Sequence, residues 1–195
     1  MLKRVATVVA GTMLLLIAAG GTATATTTTP PTKGEQSLTG APTAPPPRTF
    51  GPQSTANRIV QGLGDPHDDL NDESTLCNGC SFANGNYAGF WQAILWADGY
   101  LSASQVDCEF GPITARATAN WQRDRQLDDD GVVGKDTRSV AQNFLYESGD
   151  PNYNLFYDGF PNRLYLYREA AAHYWIYWNN NWRMLRYTDK NIVGC

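Results

Sequence analysis

The sequence is short of charge, of histidine and of long apolar runs. Only 17% of its 195 residues are Asp, Glu, Lys or Arg, and His67 and His173 are its two histidines. Two isolated histidines and one C-x-x-C pair, Cys77 and Cys80, do not supply the four N or S ligands of a closed zinc site, so no metal or other cofactor is expected. No H-E-x-x-H, G-x-S-x-G or Cys-Gly-Ser-Cys-Trp string occurs, which removes the recognisable zinc-peptidase, serine-hydrolase and thiol-protease readings. The acidic run from Asp65 to Glu73 fails calcium-loop spacing: counted from Asp69 the sixth residue is not glycine and the twelfth is Cys80. Basic charge is sparse too. Between residues 57 and 150 six Lys and Arg face fifteen Asp and Glu, a net −9, whereas residues 151–195 carry five against three, a net +2. Long-range steering therefore works against polyanions, and nucleic acid is not an expected partner.

One apolar run is present, from Val5 to Ala19, behind Lys3 and Arg4 and ahead of Ala23-Thr24-Ala25. A charged start, a short apolar core and an A-x-A site describe a secretory signal peptide over residues 1–25. The run is shorter than the roughly 20 residues of a spanning helix, so no membrane association is expected after cleavage. Residues 26–57 are dominated by Thr, Pro, Gly, Ser and Ala and read as a disordered linker, in which Pro45-Pro46-Pro47 favours extended polyproline geometry. Residues 58–85 form an acidic lead-in with Cys77 and Cys80. All four cysteines, Cys77, Cys80, Cys108 and Cys195, follow the linker. In an exported chain this even set reads as two disulfides. Of the three possible connectivities, bridges from the Cys77/Cys80 turn to Cys108 and to Cys195 would tie the domain's ends together.

Beyond the lead-in, two phrases match each other. Asp107-Cys-Glu-Phe-Gly-Pro-Ile-Thr114 and Asp130-Gly-Val-Val-Gly-Lys-Asp-Thr137 both spell D-x-x-(apolar)-G-x-x-T, 23 residues apart. Turn residues, an apolar plug and a glycine lead each phrase into a predicted helix, and Pro112 suits a first helical position because its missing N–H has no intrahelical partner there. Phe90, Trp91, Ile94 and Leu95 share one face of a preceding helix that should stop near Gly99. Ile113, Ala117 and Trp121 make a second stripe; Val140, Ala141, Phe144 and Leu145 make a third. Three short helices, none stable alone, must pack together over residues 86–147.

These residues resemble the short three-helix peptidoglycan-binding module of secreted bacterial proteins. The resemblance rests on Gln92, Leu95, Gly99, Tyr100, Asp107, Phe110, Gly111, Thr114, Ala117, Gln122, Asp130, Gly131, Val133, Gly134 and Thr137, in order and spacing. Cys108 and Gln126 stand where the family usually has glycine, Thr118 replaces an apolar residue and Trp121 replaces phenylalanine. A positive φ at position 108 would cost a non-glycine residue about 1 kcal/mol, which a disulfide could offset. The resemblance implies non-catalytic adhesion to cell-wall glycan or stem peptide. The expected groove lies where the two loops meet, with Asp107, Phe110, Gly111, Thr114, Asp130, Gly131, Val133, Gly134 and Thr137 as candidate ligand contacts.

Residues 148–195 are the aromatic part, since twelve of the chain's 23 aromatics fall between Tyr153 and Tyr187. Alternation in 163–168, 173–178 and 182–187, with a turn at Asn179 to Asn181, predicts two or three antiparallel strands; a helix through Glu169 to Ala172 is the competing reading. One face of such strands must pack on the helices. The other would be buried within the domain or would present Tyr165, Tyr167, Trp175, Tyr177, Trp178 and Trp182 to a sugar or a peptide.

The expectation is thus a mainly α fold, a three-helix bundle with a small C-terminal antiparallel β extension. It would be a secreted or cell-wall-associated monomer that binds peptidoglycan and is not an enzyme. Two alternatives stand beside it. One is a module that grips a secreted protein through the aromatic surface. The other is a wall hydrolase built on a carboxylate pair drawn from Glu73, Glu109, Glu147 or Glu169, whose separation sequence does not report.

Overall fold

The computed structural model describes residues 43–45, 58–192 and 194–195. The signal-peptide reading of residues 1–25 lies outside them, as does all of the linker except 43–45.

Three helices form where the phrases require them: α1 (Asn86–Ala97), α2 (Pro112–Asp124) and α3 (Lys135–Gln142). Glycines 111 and 134 cap α2 and α3, and Pro112 is the first residue of α2. Every residue of α1 except Trp96 is buried. Its uniform burial follows from neighbours on two sides. Trp91 meets Trp121 of α2 edge-on at 5.3 Å and donates its indole N–H to Thr118 Oγ1 at 2.8 Å. On the other side Trp96 meets Trp178 of the sheet edge-on at 4.8 Å. Thr118, polar where the family pattern is apolar, is thereby the partner of a buried indole. The helix ends as expected at Gly99, with φ of 78° and Tyr100 N–H returning to the Leu95 carbonyl at 2.8 Å.

The remainder is a sheet larger than the small extension anticipated. Five strands, β1 (Leu145–Asp150), β2 (Tyr153–Tyr157), β3 (Leu164–Arg168), β4 (Tyr174–Trp178) and β5 (Asn181–Met184), pair antiparallel in sequence order. The architecture is therefore helices plus an antiparallel sheet and not mainly α. The third stripe is corrected as well: α3 stops at Gln142, and Leu145 opens β1 as a core residue of the sheet. In the second stripe Ile113 points outward and is 62% exposed. Around Glu169 to Ala172 the chain makes a turn, closed by Ala172 N–H to the Glu169 carbonyl, so the strands prevail over the competing helix. Asn179 and Asn180, at φ of 47° and 61°, form the tight β4–β5 hairpin turn.

Both disulfides form, in a pairing other than the one that would tie the turn to the ends. Cys77 bonds Cys80, and Cys108 bonds Cys195. A Cβ on Gly89 would come within 2.5 Å of Cys108 Sγ, so this helical glycine makes room for the second bridge.

The lead-in is more structured than its composition suggests. Arg58 to Gln61 run beside the end of the sheet, with Val60 N–H to the Leu185 carbonyl at 2.9 Å and Tyr174 N–H to the Val60 carbonyl at 3.0 Å. Two of its five acids, Asp69 and Glu73, are buried. Asp69 accepts from Arg168 Nη1 at 2.7 Å and from the Tyr174 hydroxyl; burial nonetheless raises its carboxyl, with the Tyr174 and Arg168 contacts pulling the other way. Glu73 accepts from the Tyr187 hydroxyl and from Gln61 N–H at 3.0 Å, yet burial pushes it up to about 7.

Candidate functional site

Each repeated phrase is organised by one glutamine from the helix before it. In the first loop the Gln92 amide nitrogen donates to Asp107 Oδ1 at 2.7 Å, to the Glu109 carbonyl at 3.1 Å and to Thr114 Oγ1 at 2.9 Å. Its amide oxygen accepts from Asp107 N–H at 3.1 Å and Cys108 N–H at 2.8 Å. In the second, the Gln122 amide nitrogen donates to Asp130 Oδ1 at 3.2 Å, to the Val132 carbonyl at 2.8 Å and to Thr137 Oγ1 at 2.9 Å; its oxygen accepts from Gly131 N–H at 2.9 Å. Both glutamines are buried. A buried amide with every donor and acceptor engaged fixes a loop more firmly than an apolar plug can, because displacing it strands several polar groups at once.

The phrase letters now have physical jobs. Asp107 and Asp130 each accept from the N–H two residues on, Glu109 at 2.9 Å and Val132 at 2.8 Å, which closes the turn. The residue after each aspartate takes positive φ, 61° at Cys108 and 73° at Gly131. A side chain at 131 would also collide with the Ala115 carbonyl oxygen at 2.6 Å, so glycine is required there. Cys108 carries the strain that glycine would avoid, and its bridge to Cys195 holds it. Gln126 likewise takes positive φ, 59°, where the family pattern has glycine. Phe110 and Val133 are the buried plugs, and Thr114 and Thr137 are buried beneath their helix starts.

Of the loop residues expected to touch ligand, then, Phe110, Thr114 and Val133 spend their side chains on the loops themselves, and Thr137 does so while also bordering a cavity. Asp107 and Asp130 keep exposed edges. The lead-in makes a backbone bridge to each loop. Leu76 pairs with Val133 and Asn84 with Glu109 as isolated antiparallel bridges. That cavity lies on the second loop, apart from a larger, more open one between residues 64–67 and 146–147. The second-loop cavity measures about 220 Å³, is lined by Gln122, Leu127, Asp128, Asp130, Val132, Gly134, Lys135, Asp136 and Thr137, and takes no residue from the first phrase. Sequence reasoning missed Gln122, Leu127, Asp128, Val132, Lys135 and Asp136 as lining. Leu127 and Asp128 stand just before the phrase, Val132, Lys135 and Asp136 are its variable positions, and Gln122 was visible only as an anchor. Chemically this is a small polar recess with three exposed carboxylates, one ammonium and a modest apolar wall, suited to amide N–H and amine groups.

The aromatic candidates divide between two faces. Trp178 points inward against α1, whereas Tyr165, Tyr167, Trp175, Tyr177 and Trp182 share the outer face. Tyr165, Trp175 and Tyr177 are buried at 2%, 3% and 8% exposure; Tyr167 and Trp182 are half-buried. One residue that sequence reasoning treated only as a helix end, Asp98, joins the helices to the sheet: it accepts from Trp121 Nε1 at 2.7 Å, Arg125 Nη2 at 2.9 Å and the Tyr157 hydroxyl at 2.7 Å.

Comparison with known proteins yields one result. Residues 89–140 match the family model described as "Putative peptidoglycan binding domain", so this stretch is similar to a peptidoglycan-binding module. The match starts inside α1, ends inside α3 and contains both repeated loops. No curated protein and no solved structure matches the chain significantly.

Proposed function

We propose that a chain carrying a peptidoglycan-binding-like module over residues 89–140 acts as a non-catalytic wall-adhesion protein, holding peptidoglycan at the recess on its second loop. The observation that carries this reading is the coincidence of that cavity with the matched segment. Stem peptides present amide N–H and amine groups, which Asp128, Asp130 and Asp136 can accept; Lys135 can meet a carboxylate or carbonyl. The first loop serves as scaffold in this scheme, covalently fixed through Cys108. The signal-peptide pattern of residues 1–25 and the two disulfides support a secreted or wall-associated setting.

The test is cosedimentation of the full chain with purified insoluble peptidoglycan, comparing wild type with a Lys135→Ala/Asp136→Ala double variant. Retention of the wild type and a several-fold loss in the variant are expected. Equal retention of both moves the ligand away from the recess, and no retention of the wild type ends the wall-binding reading.

A further inference from the structure

The outer face of the sheet has a furnished slot that the wall reading does not use. Tyr177 of β4 stands directly across from Trp182 of β5, with ring centroids 5.1 Å apart, and Tyr167 of β3 meets Trp182 edge-on at 6.1 Å. Beside them on the same face Ile59, Trp175 and Met184 form a small apolar cluster separate from the main core, with Tyr167 and Trp182 packed against it. Across this surface lies a piece of the chain's own N-terminal region. The Trp182 indole N–H donates to the backbone carbonyl of Thr43, and Pro45, two residues on, is buried.

An indole donor aimed at a main-chain carbonyl, beside tyrosine rings, is the chemistry by which aromatic surfaces hold polyproline helices. Such chains lack internal hydrogen bonds, so their carbonyls are free to accept, and proline rings stack on aromatic faces at little entropic cost. Thr43-Ala44-Pro45 leads directly into Pro46 and Pro47. We propose that the Tyr167/Tyr177/Trp182 slot is a receptor for extended proline-rich chain, and that Thr43-Ala44-Pro45 is its resident occupant. The inference stands apart from the wall-binding reading, because the recess on the second loop shares no residue with the slot. A tethered occupant enjoys an effective concentration on the order of millimolar, so a free proline-rich segment competes only when the resident is weakened.

The experiment uses the full chain and a Pro45→Gly/Pro46→Gly/Pro47→Gly variant. Hydrogen exchange of the Trp182 indole N–H is followed by NMR, and each protein is titrated with a synthetic peptide of residues 40–48. At least a 10-fold loss of indole protection in the triple variant is expected, with peptide affinity at least 10-fold above that of the wild type. Trp182→Phe in the triple-variant background, which keeps a ring and removes the donor, should reduce peptide binding several-fold with an unchanged far-UV circular dichroism spectrum. Unchanged indole exchange in the triple variant overturns the proposal, as does failure of that variant to bind peptide. Concentration-dependent dimerisation of the triple variant would give the slot to a second copy, and saturable binding of soluble wall glycan in place of peptide would give it to sugar. Either result also overturns it.

Discussion

The two D-x-x-(apolar)-G-x-x-T loops share a glutamine clamp, an aspartate turn, a positive-φ residue, an apolar plug and a buried threonine, yet only the second borders the recess described here. What separates them is the rest of the chain. The first loop is bonded through Cys108 to Cys195 and pairs with the lead-in through Asn84; the second pairs through Leu76 but has no covalent tie. A motif can therefore be kept twice for the same structural reason while its capacity for ligand differs, because that capacity depends on what lies over it.

Removing the covalent tie should produce the largest effect. The Cys108–Cys195 bridge spans 87 residues and the Cys77–Cys80 bridge only 3. Loop-closure entropy gives about 4.6 kcal/mol for the former and about 1.6 kcal/mol for the latter. In urea unfolding, Cys108→Ala/Cys195→Ala should lower stability by nearly three times as much as Cys77→Ala/Cys80→Ala. Equal losses would remove the argument that the first loop owes its fixity to its bridge.

The glutamine clamps come next. Gln92→Ala and Gln122→Ala each strand several buried polar groups and should cost about 3 kcal/mol. They should part company in function: Gln122→Ala abolishes retention on wall material under conditions where it is still folded, and Gln92→Ala does not. Parallel losses would erase the division of labour between the loops.

A comparable effect, set by pH, comes from the lead-in. Glu73 titrates near 7 in the folded state, above its ordinary value of 4.5, so the folded chain binds more protons than the unfolded chain between those values. Stability is then greatest below about pH 4.5 as far as this group is concerned, and falls as pH rises towards 7, by up to about 3 kcal/mol. Glu73→Gln should flatten that slope in unfolding experiments run from pH 5 to 8. The smallest stability effect belongs to the recess: Lys135→Ala and Asp136→Ala, both exposed, should each change stability by less than about 0.5 kcal/mol while weakening wall retention.

Much of the helical part was legible because its chemistry is local. Gly111-Pro112, Gly99 and the paired phrases state their turns within a few residues, and position 108 announced its backbone by putting a cysteine where the pattern has glycine. The sheet was only half legible. Strands β3 and β4 alternate openly, but β1 reads Leu-Tyr-Glu-Ser-Gly-Asp, too polar to signal a strand, and forms because Leu145 to Glu147 pair with Tyr157 to Leu155. Such pairing is a long-range fact that no window of sequence holds. The same is true of the site. Gln92 and Gln122 were visible as anchors, but their capacity to clamp a loop depends on burial, and the lead-in's bridges to the loops depend on contacts 25 to 57 residues away along the chain.

Those bridges have a dynamic consequence. Val133 N–H bonds to the Leu76 carbonyl and Phe110 N–H to the Ala83 carbonyl, so one run of eight residues, folded into consecutive turns around the Cys77–Cys80 bridge, latches two separate loops. Neither plug can be released without lifting the same run, and the amide protons of Phe110 and Val133 should exchange with solvent through a shared opening event, at a common rate, even though the helices they precede are distinct.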